Sequence, residues 1–313
     1  MRHEAGNSSF DFSQFIRLRH SIKFEYKAHR ANHAVMARCV GTKISHHESI
    51  PTMKRTLRSL LAATCLLQLP AVYAGRLEKI QTANELKVCI WPDYYGISYR
   101  NPKTLQLSGI DIDMAHVLGQ ELRVPVHFID SSFANLINDI EQDKCDIAMF
   151  AIGITPQRSE HLRFTRPHLM SDIYAITSRS NRRIQSWADI DKPGTVVAVA
   201  KGTLHESVMR EKLKQATLLV TATPQGREQE VEAGRADAFM TDYPFSRRML
   251  ETTDWARLVS PPSTYHLTHY AYAMQKGDDA WYQRVSSFLD KVRADGRLQA
   301  AIKRNKLDPI AEH

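Results

Sequence analysis

From residue 86 onward, short apolar runs alternate with longer runs whose apolar positions recur at helical spacing. LKVCIW (86–91) reads as a compact buried strand. IDIDMAHVLGQEL (110–122) reads as an amphipathic helix, with Asp111 or Asp113 as a cap near its start. VPVHFI (124–129) is a second strand, FANLINDIEQD (133–143) a second helix, and DIAMFAI (146–152) a third, fully apolar strand. A β-α-β-α-β order implies a parallel sheet covered by helices.

The alternation then repeats. Strands are predicted at 173–178, 195–200, 216–222 and 236–242, with helices at 204–214, 224–234 and 243–251. Thr203 stands where it would cap the first of these helices, and Pro244 opens the last. A last strand, YAYAM (270–274), precedes helices at 279–294 and 296–305. That strand has no sheet of its own, so it is expected to return to the first unit. The expected fold is α/β: two lobes, each a mainly parallel sheet flanked by helices. Lobe 1 takes 75–170 and 268–313, lobe 2 takes 171–267, and the chain crosses near 168–173 and 264–270. A two-segment hinge beneath a ligand cleft follows from that path.

Charge changes the picture only at the N-terminus. The chain of 313 residues carries 42 Lys+Arg and 34 Asp+Glu, a net of +8. Residues 1–74 hold 11 and 4 of these, a net of +7, so the remainder is close to neutral and offers no footprint for nucleic acid. Lys54, Arg55 and Arg58 precede an apolar stretch that ends before Val72-Tyr73-Ala74. That is the pattern of a secretory signal peptide over 53–74, with cleavage after Ala74 and a periplasmic destination. An uncleaved anchor is the alternative, and lipid attachment at Cys65 fits poorly with Thr64 before it. Residues 1–52 are polar and His-rich, and read as a non-native extension from a start assigned upstream of Met53. Export would permit a disulfide between Cys89 and Cys145, with two buried thiols as the plainer reading.

Catalytic and metal signatures are missing from the pattern: no G-x-S-x-G, no H-E-x-x-H, no C-x-x-C and no phosphate-cradling loop. No cofactor and no metal are expected. Polar residues gather instead where strands end, which is where open α/β sheets bind ligands. Gly153, Thr155 and Arg158 follow one strand, Thr203 another and Asp242 a third. Thr155-Pro156 starts a helix, so Arg158 falls in its first turn, where a cation is disfavoured unless it faces an anion. Arg158 would take a carboxylate in a two-pronged bond, and Asp242 an ammonium. Tyr94, Phe133 and Trp91 would enclose the ligand's carbons. Each has a plainer reading: Asp242 and Thr203 as helix caps, Arg158 paired with Glu160, Trp91 and Tyr95 as core.

GIDIDMA (109–115), CDIAMFAIGITPQR (145–158), LRFTRPHL (162–169), KGT (201–203) and ADAFMTD (236–242) occur in an order and spacing that resemble the periplasmic solute-binding proteins of amino-acid ABC transporters, bacterial extracellular solute-binding protein family 3. The resemblance implies the two-lobe periplasmic-binding-protein-like fold (type II), its lobes closing on an amino acid or related carboxylate. Arg158 would grip the carboxylate, Asp242 the amine, Thr203 and neighbouring N–H groups the carboxylate again, and Tyr94 and Phe133 the side chain. It implies a monomer that hands its ligand to a membrane permease. Gly153 replaces a frequent serine, Leu204 replaces a second hydroxyl, and Trp91 stands where some cationic amino-acid binders carry a smaller or acidic residue. Two other roles share the scaffold. Periplasmic cyclohexadienyl (prephenate/arogenate) dehydratases resemble the chain, but His205 stands where their chemistry would place a glutamate, with Glu206 one residue later. Ligand-sensing partners of membrane signalling proteins are the other. The expectation is a binding protein, not an enzyme.

Overall fold

The computed structural model describes residues 75–312; the leader-like stretch 53–74 and residues 1–52 before it lie outside the described residues. Two sheets organise the described chain. The first contains β1 (Leu86–Ile90), β5 (Val126–Asp130), β6 (Ile147–Gly153), β7 (Leu162–Phe164), β8 (Leu169–Ser171) and β14 (Thr268–Gln275). Its order is β5-β1-β6-β14-β7, with β8 also on β14. The second contains β9 (Tyr174–Ser178), β10 (Val196–Ala200), β11 (Thr217–Thr221), β12 (Ala238–Thr241) and β13 (Ala256–Val259), in the order β11-β10-β12-β9-β13. A small sheet of β2 (Asp93–Tyr94), β3 (Ser98–Arg100) and β4 (Leu107–Ser108) follows β1 and has no apolar run that announced it.

Each main sheet has a parallel core built by helical crossovers. β1 pairs in parallel with β5 and β6 across α2 (Ile110–Leu122) and α3 (Leu136–Glu141). β10 pairs in parallel with β11 and β12 across α5 (Leu204–Lys212) and α6 (Pro224–Glu232). The strands that carry the chain between the halves, β9 and β14, join antiparallel to β12 and β6, so both sheets are mixed. Trp281 of α8 (Asp279–Ala294) donates its indole N–H to the Asp146 carbonyl at 3.0 Å, and α9 (Arg297–Arg304) packs beside it, returning the C-terminal helices to the first sheet.

The two halves repeat one device. Asp146 precedes β6 and accepts the Lys87 N–H of β1 at 2.8 Å. Asp237 precedes β12 and accepts the Val196 N–H of β10 at 2.9 Å. In each half a carboxylate thus pairs the first free donor of the central strand and fixes its register with the next. A third aspartate joins the two crossing segments. Asp172 accepts the N–H groups of Tyr265 at 2.8 Å, His266 at 2.7 Å and its own neighbour Ile173 at 2.8 Å.

Three local expectations change. Neither Asp111 nor Asp113 caps α2, whose N-cap is Gly109. Asp111 is fully buried and accepts the Ala151 N–H at 2.8 Å, with His168 Nε2 3.3 Å from its other oxygen. The helix starts at Ile110 as expected, and its cap position falls to Gly109, which at φ +123° and with a Cβ position only 2.3 Å from the Ile97 carbonyl oxygen supplies a turn no other residue fits. Cys89 and Cys145 are not two thiols but a disulfide, their Cα atoms 5.6 Å apart, because Cys145 lies just before β6, beside β1. The second helix covers only Leu136–Glu141; Ser132 turns the chain first, its hydroxyl accepting the Asn135 N–H at 3.2 Å.

Asp111 therefore supports a strained residue. Ala151 sits inside β6 with φ +46°, a conformation L-residues avoid, and its N–H points at the carboxylate. Asp111→Ala leaves that N–H buried without a partner and is expected to lower unfolding stability by about 1–3 kcal/mol. Urea denaturation measures it; a change under about 0.5 kcal/mol, the scatter of ordinary surface substitutions, would remove Asp111 as the support.

Candidate functional site

The C-terminal ends of β1, β6, β10 and β12 face one cleft between the sheets. Trp91, Tyr94, Phe133, Gly153, Arg158, Thr203 and Asp242 all line one cavity there, with Tyr270, His205, Arg227, Thr241 and Phe245. The space between their atoms is about 370 Å³. Thr155 is the one predicted site residue outside the cavity lining. Its hydroxyl caps α4 (Pro156–His161) by accepting the Arg158 N–H at 3.2 Å, and it borders a neighbouring depression with Gln157, Glu206 and Arg210.

Arg158 is 7 % exposed. Its guanidinium donates to the Gly153 carbonyl at 2.9 Å and, across the cleft, to the Gly202 carbonyl at 3.2 Å. It lies 5.3 Å from the centre of the Phe133 ring. No carboxylate among the described residues pairs with it, Glu160 included. Burial lowers its pKa to about 10, so it remains a cation at neutral pH. The glycine before Thr203 permits this approach. Gly202 has φ +75°, and a Cβ there would stand 2.5 Å from Ala134 Cα of the opposite half.

Thr203 does not cap its helix. Its hydroxyl donates to the Ala200 carbonyl at 2.7 Å, closing the turn after β10. The adjacent Gly202 N–H, expected to be open to a ligand, donates to Glu206 Oε2 at 2.7 Å. Asp242 does cap α7 (Tyr243–Thr252), accepting the Phe245 N–H at 3.2 Å. Its other oxygen accepts from two phenols of the first half, Tyr94 and Tyr270, the latter at 2.9 Å. Burial raises the carboxyl above its ordinary range, opposed by the two tyrosine hydroxyls and the N–H. Both phenols are pushed well above their ordinary value, by burial first and the Asp242 charge second.

The aromatic wall comes from both halves. Trp91 packs against Tyr94 at 4.9 Å and Phe133 at 5.2 Å, and stacks on Phe245 of α7 at 6.2 Å and 4°. Outside the cavity, further contacts cross the cleft. Asp93 accepts from Gln225 at 2.6 Å and lies 3.6 Å from Arg248. Tyr95 donates to Glu251 at 2.9 Å, and Arg247 donates to the Asn305 and Lys306 carbonyls at 3.1 and 2.8 Å.

Arg227 and Phe245 escaped the sequence reading. Arg227 is four residues before Val231 on α6, and the two are the buried residues of that helix. An arginine in step with the lone apolar residue of a polar helix was the available signal. Its guanidinium donates to the Met240 carbonyl at 2.8 Å and lies between the Phe245 and Phe239 rings, 4.4 and 5.0 Å away. Burial lowers its pKa to about 10. His205 is buried too. Desolvation first, then the Arg227 and Arg158 charges, lower its pKa to about 3, so the ring is neutral.

The pattern of the bacterial extracellular solute-binding proteins, family 3, matches residues 86–306. The chain is 30% identical over 253 residues, 80% of its length and 94% of the relative's, to a Pseudomonas aeruginosa protein named cyclohexadienyl dehydratase. It is 24% identical over 251 residues, 79% of its length and 96% of the relative's, to an Escherichia coli K12 protein named putative ABC transporter arginine-binding protein 2. Among solved structures, an ancestral amino acid-binding protein described as a precursor of cyclohexadienyl dehydratase superposes with a TM-score of 0.67 at 28% identity, over 73% of this chain and 98% of that one. A Streptococcus pneumoniae amino acid ABC transporter substrate-binding protein solved with L-arginine gives 0.67 at 22% identity, over 73% and 97%, a likeness of fold. The fold is the two-lobe, type II periplasmic-binding-protein fold, and the chain belongs to the bacterial extracellular solute-binding proteins, family 3.

Proposed function

We propose that the protein captures a small amino acid or related carboxylate between two lobes and presents it to the permease of an ABC-type importer. The lobes are 75–170 with 268–313, and 171–267. In this reading the protein is exported to the periplasm through the 53–74 segment and works there as a monomer. Arg158 carries the reading: a buried guanidinium that has two carbonyls for partners and no carboxylate among the described residues. A ligand carboxylate would complete it with charge-assisted bonds. Trp91, Tyr94 and Phe133 would enclose the ligand's carbons, and an amine would approach Asp242 beside its tyrosine partners.

A second reading has a specific observation behind it, the 30% identity to the Pseudomonas aeruginosa dehydratase. The cavity supports it less. A dehydration needs a general acid, and His205, where that chemistry would place a glutamate, is a neutral ring with a pKa near 3. Glu206 turns out of the cavity, bonded to the Gly202 N–H and to Arg210 at 2.8 Å. Incubation with prephenate or arogenate should give no aromatic product; turnover that depends on His205 would replace the binding reading with an enzymatic one.

A thermal-shift screen of the exported protein against amino acids and small carboxylates should show stabilisation by at least one, since binding to the folded state raises stability. Arg158→Met should abolish that shift; unchanged affinity would take Arg158 out of the site. His205 gives an independent check of the buried state. The unfolded imidazole protonates near pH 6.5 and the folded one near 3, so the unfolded chain binds more protons between those values. The stability contributed by the neutral ring is therefore present above pH 6.5 and lost as pH falls toward 3. Between pH 6 and 4, wild type should lose about 1 kcal/mol per pH unit more than His205→Gln; parallel stability profiles would place His205 in water.

A further inference from the structure

We propose that the ligand carries two acid groups, the second seated against Arg227, Thr241 and His205 on the second-sheet side of the cavity. This deepens the binding reading above and rests on it. The three side chains converge from three elements, α6, β12 and α5, and all line the same cavity as Arg158. Each is more than nine-tenths buried: Arg227 is 2 % exposed, Thr241 0 % and His205 8 %. Each also has polar atoms without a hydrogen-bond partner among the described residues: Arg227 Nε, Thr241 Oγ1 and both ring nitrogens of His205. Buried polar atoms are ordinarily paired, so three residues with orphaned polar atoms lining one cavity, the His205 ring beside the Thr241 backbone, point to a polar group of a ligand as their partner.

The chemistry of the three selects an anion. Arg227 Nε–H can only donate, Thr241 can donate its hydroxyl proton, and a neutral His205 donates through one nitrogen. A carboxylate can accept all three, and the arginine supplies the charge that separates it from an amide. Nearby acids do not satisfy Arg227. Glu228 and Asp93 both pair with Arg248, at 3.2 and 3.6 Å, and Asp242 is bonded to Tyr94, Tyr270 and the Phe245 N–H. None of the three makes a salt bridge with Arg227, whose hydrogen bond goes to the Met240 carbonyl. Arg158 and Arg227 thus offer two separate anion anchors lining one cavity, one after β6 of the first sheet and one beside β12 of the second.

Calorimetric titration of the full exported protein tests this with paired probes: L-glutamate against L-glutamine, L-aspartate against L-asparagine, and succinate against succinamate. Each diacid should bind at least about tenfold more tightly than its amide, the difference one charge-assisted hydrogen bond supplies. Arg227→Gln should bring the two members of a pair within about threefold, while Arg158→Met weakens both. Equal affinity within the wild-type pairs overturns the proposal, as does a preference that survives Arg227→Gln. If amino acids with a single carboxylate bind and no diacid does, the second anchor is refuted while the binding reading stands; if neither class binds, both fall. Should Arg227→Gln not fold, the wild-type ratio still decides, and Thr241→Val should reduce it about threefold or more.

Discussion

A guanidinium buried without a carboxylate is the constraint on which the rest of the cleft depends. Desolvating a cation costs several kcal/mol even in a relaxed protein interior. The fold offsets part of that for Arg158 with two carbonyl oxygens and an aromatic face. Those partners are not local. The Gly153 carbonyl comes from the end of β6, the Phe133 ring from the loop before α3, and the Gly202 carbonyl from the opposite sheet. The carbonyl from the opposite sheet is within reach only because residue 202 has no side chain to strike Ala134. One arginine therefore couples the strand end that positions it to the closure of the two halves.

Asp242 balances it from the other side. Its carboxylate caps α7 in the second half and takes two phenols from the first, so it is both a helix cap and a clasp. The outer contacts around Asp93, Tyr95 and Arg247 are more exposed, and pairs of that kind contribute little individually. The buried bonds through Asp242 and Arg158 lie in lower dielectric and carry more of the closure. Beneath them Asp172 fixes the two crossing segments to each other through the N–H groups of Tyr265 and His266. A hinge in the proposed reading would be confined to this short, tied pair of segments.

Much of this was legible in the sequence because it rested on period and position. The alternation of runs gave the parallel cores of both sheets, and strand ends followed by glycine, hydroxyl or charge marked the cleft. Arg158 was legible because its place in a helix's first turn was electrostatically wrong without an anion. Thr203 and Asp111 misled for one reason: a short polar side chain at a helix start is read as a cap, but these two bond backbone groups across a turn or from a neighbouring strand. The disulfide depended on the register of β6 against β1, which no local pattern carries. Arg227 was missed because a cation in a polar helix looks solvated until the packing of α6 on β10 and β12 buries that face.

The placement of Arg227 adds a step to the logic of closure. With the halves together, two cations lie within one desolvated space, and His205 responds by giving up its proton. Bringing those charges out of water opposes closure, and hydrating them favours parting the halves. In the proposed binding reading an anionic ligand would reverse the sign, because its carboxylate oxygens would replace water at the same donors and only the closed arrangement would bring both lobes' donors to it. A ligand shifts such an equilibrium by its differential affinity for the two states, and in that reading the difference would reside in the buried guanidinium groups. The cost of burying them and the selectivity for an anion are two consequences of the same geometry.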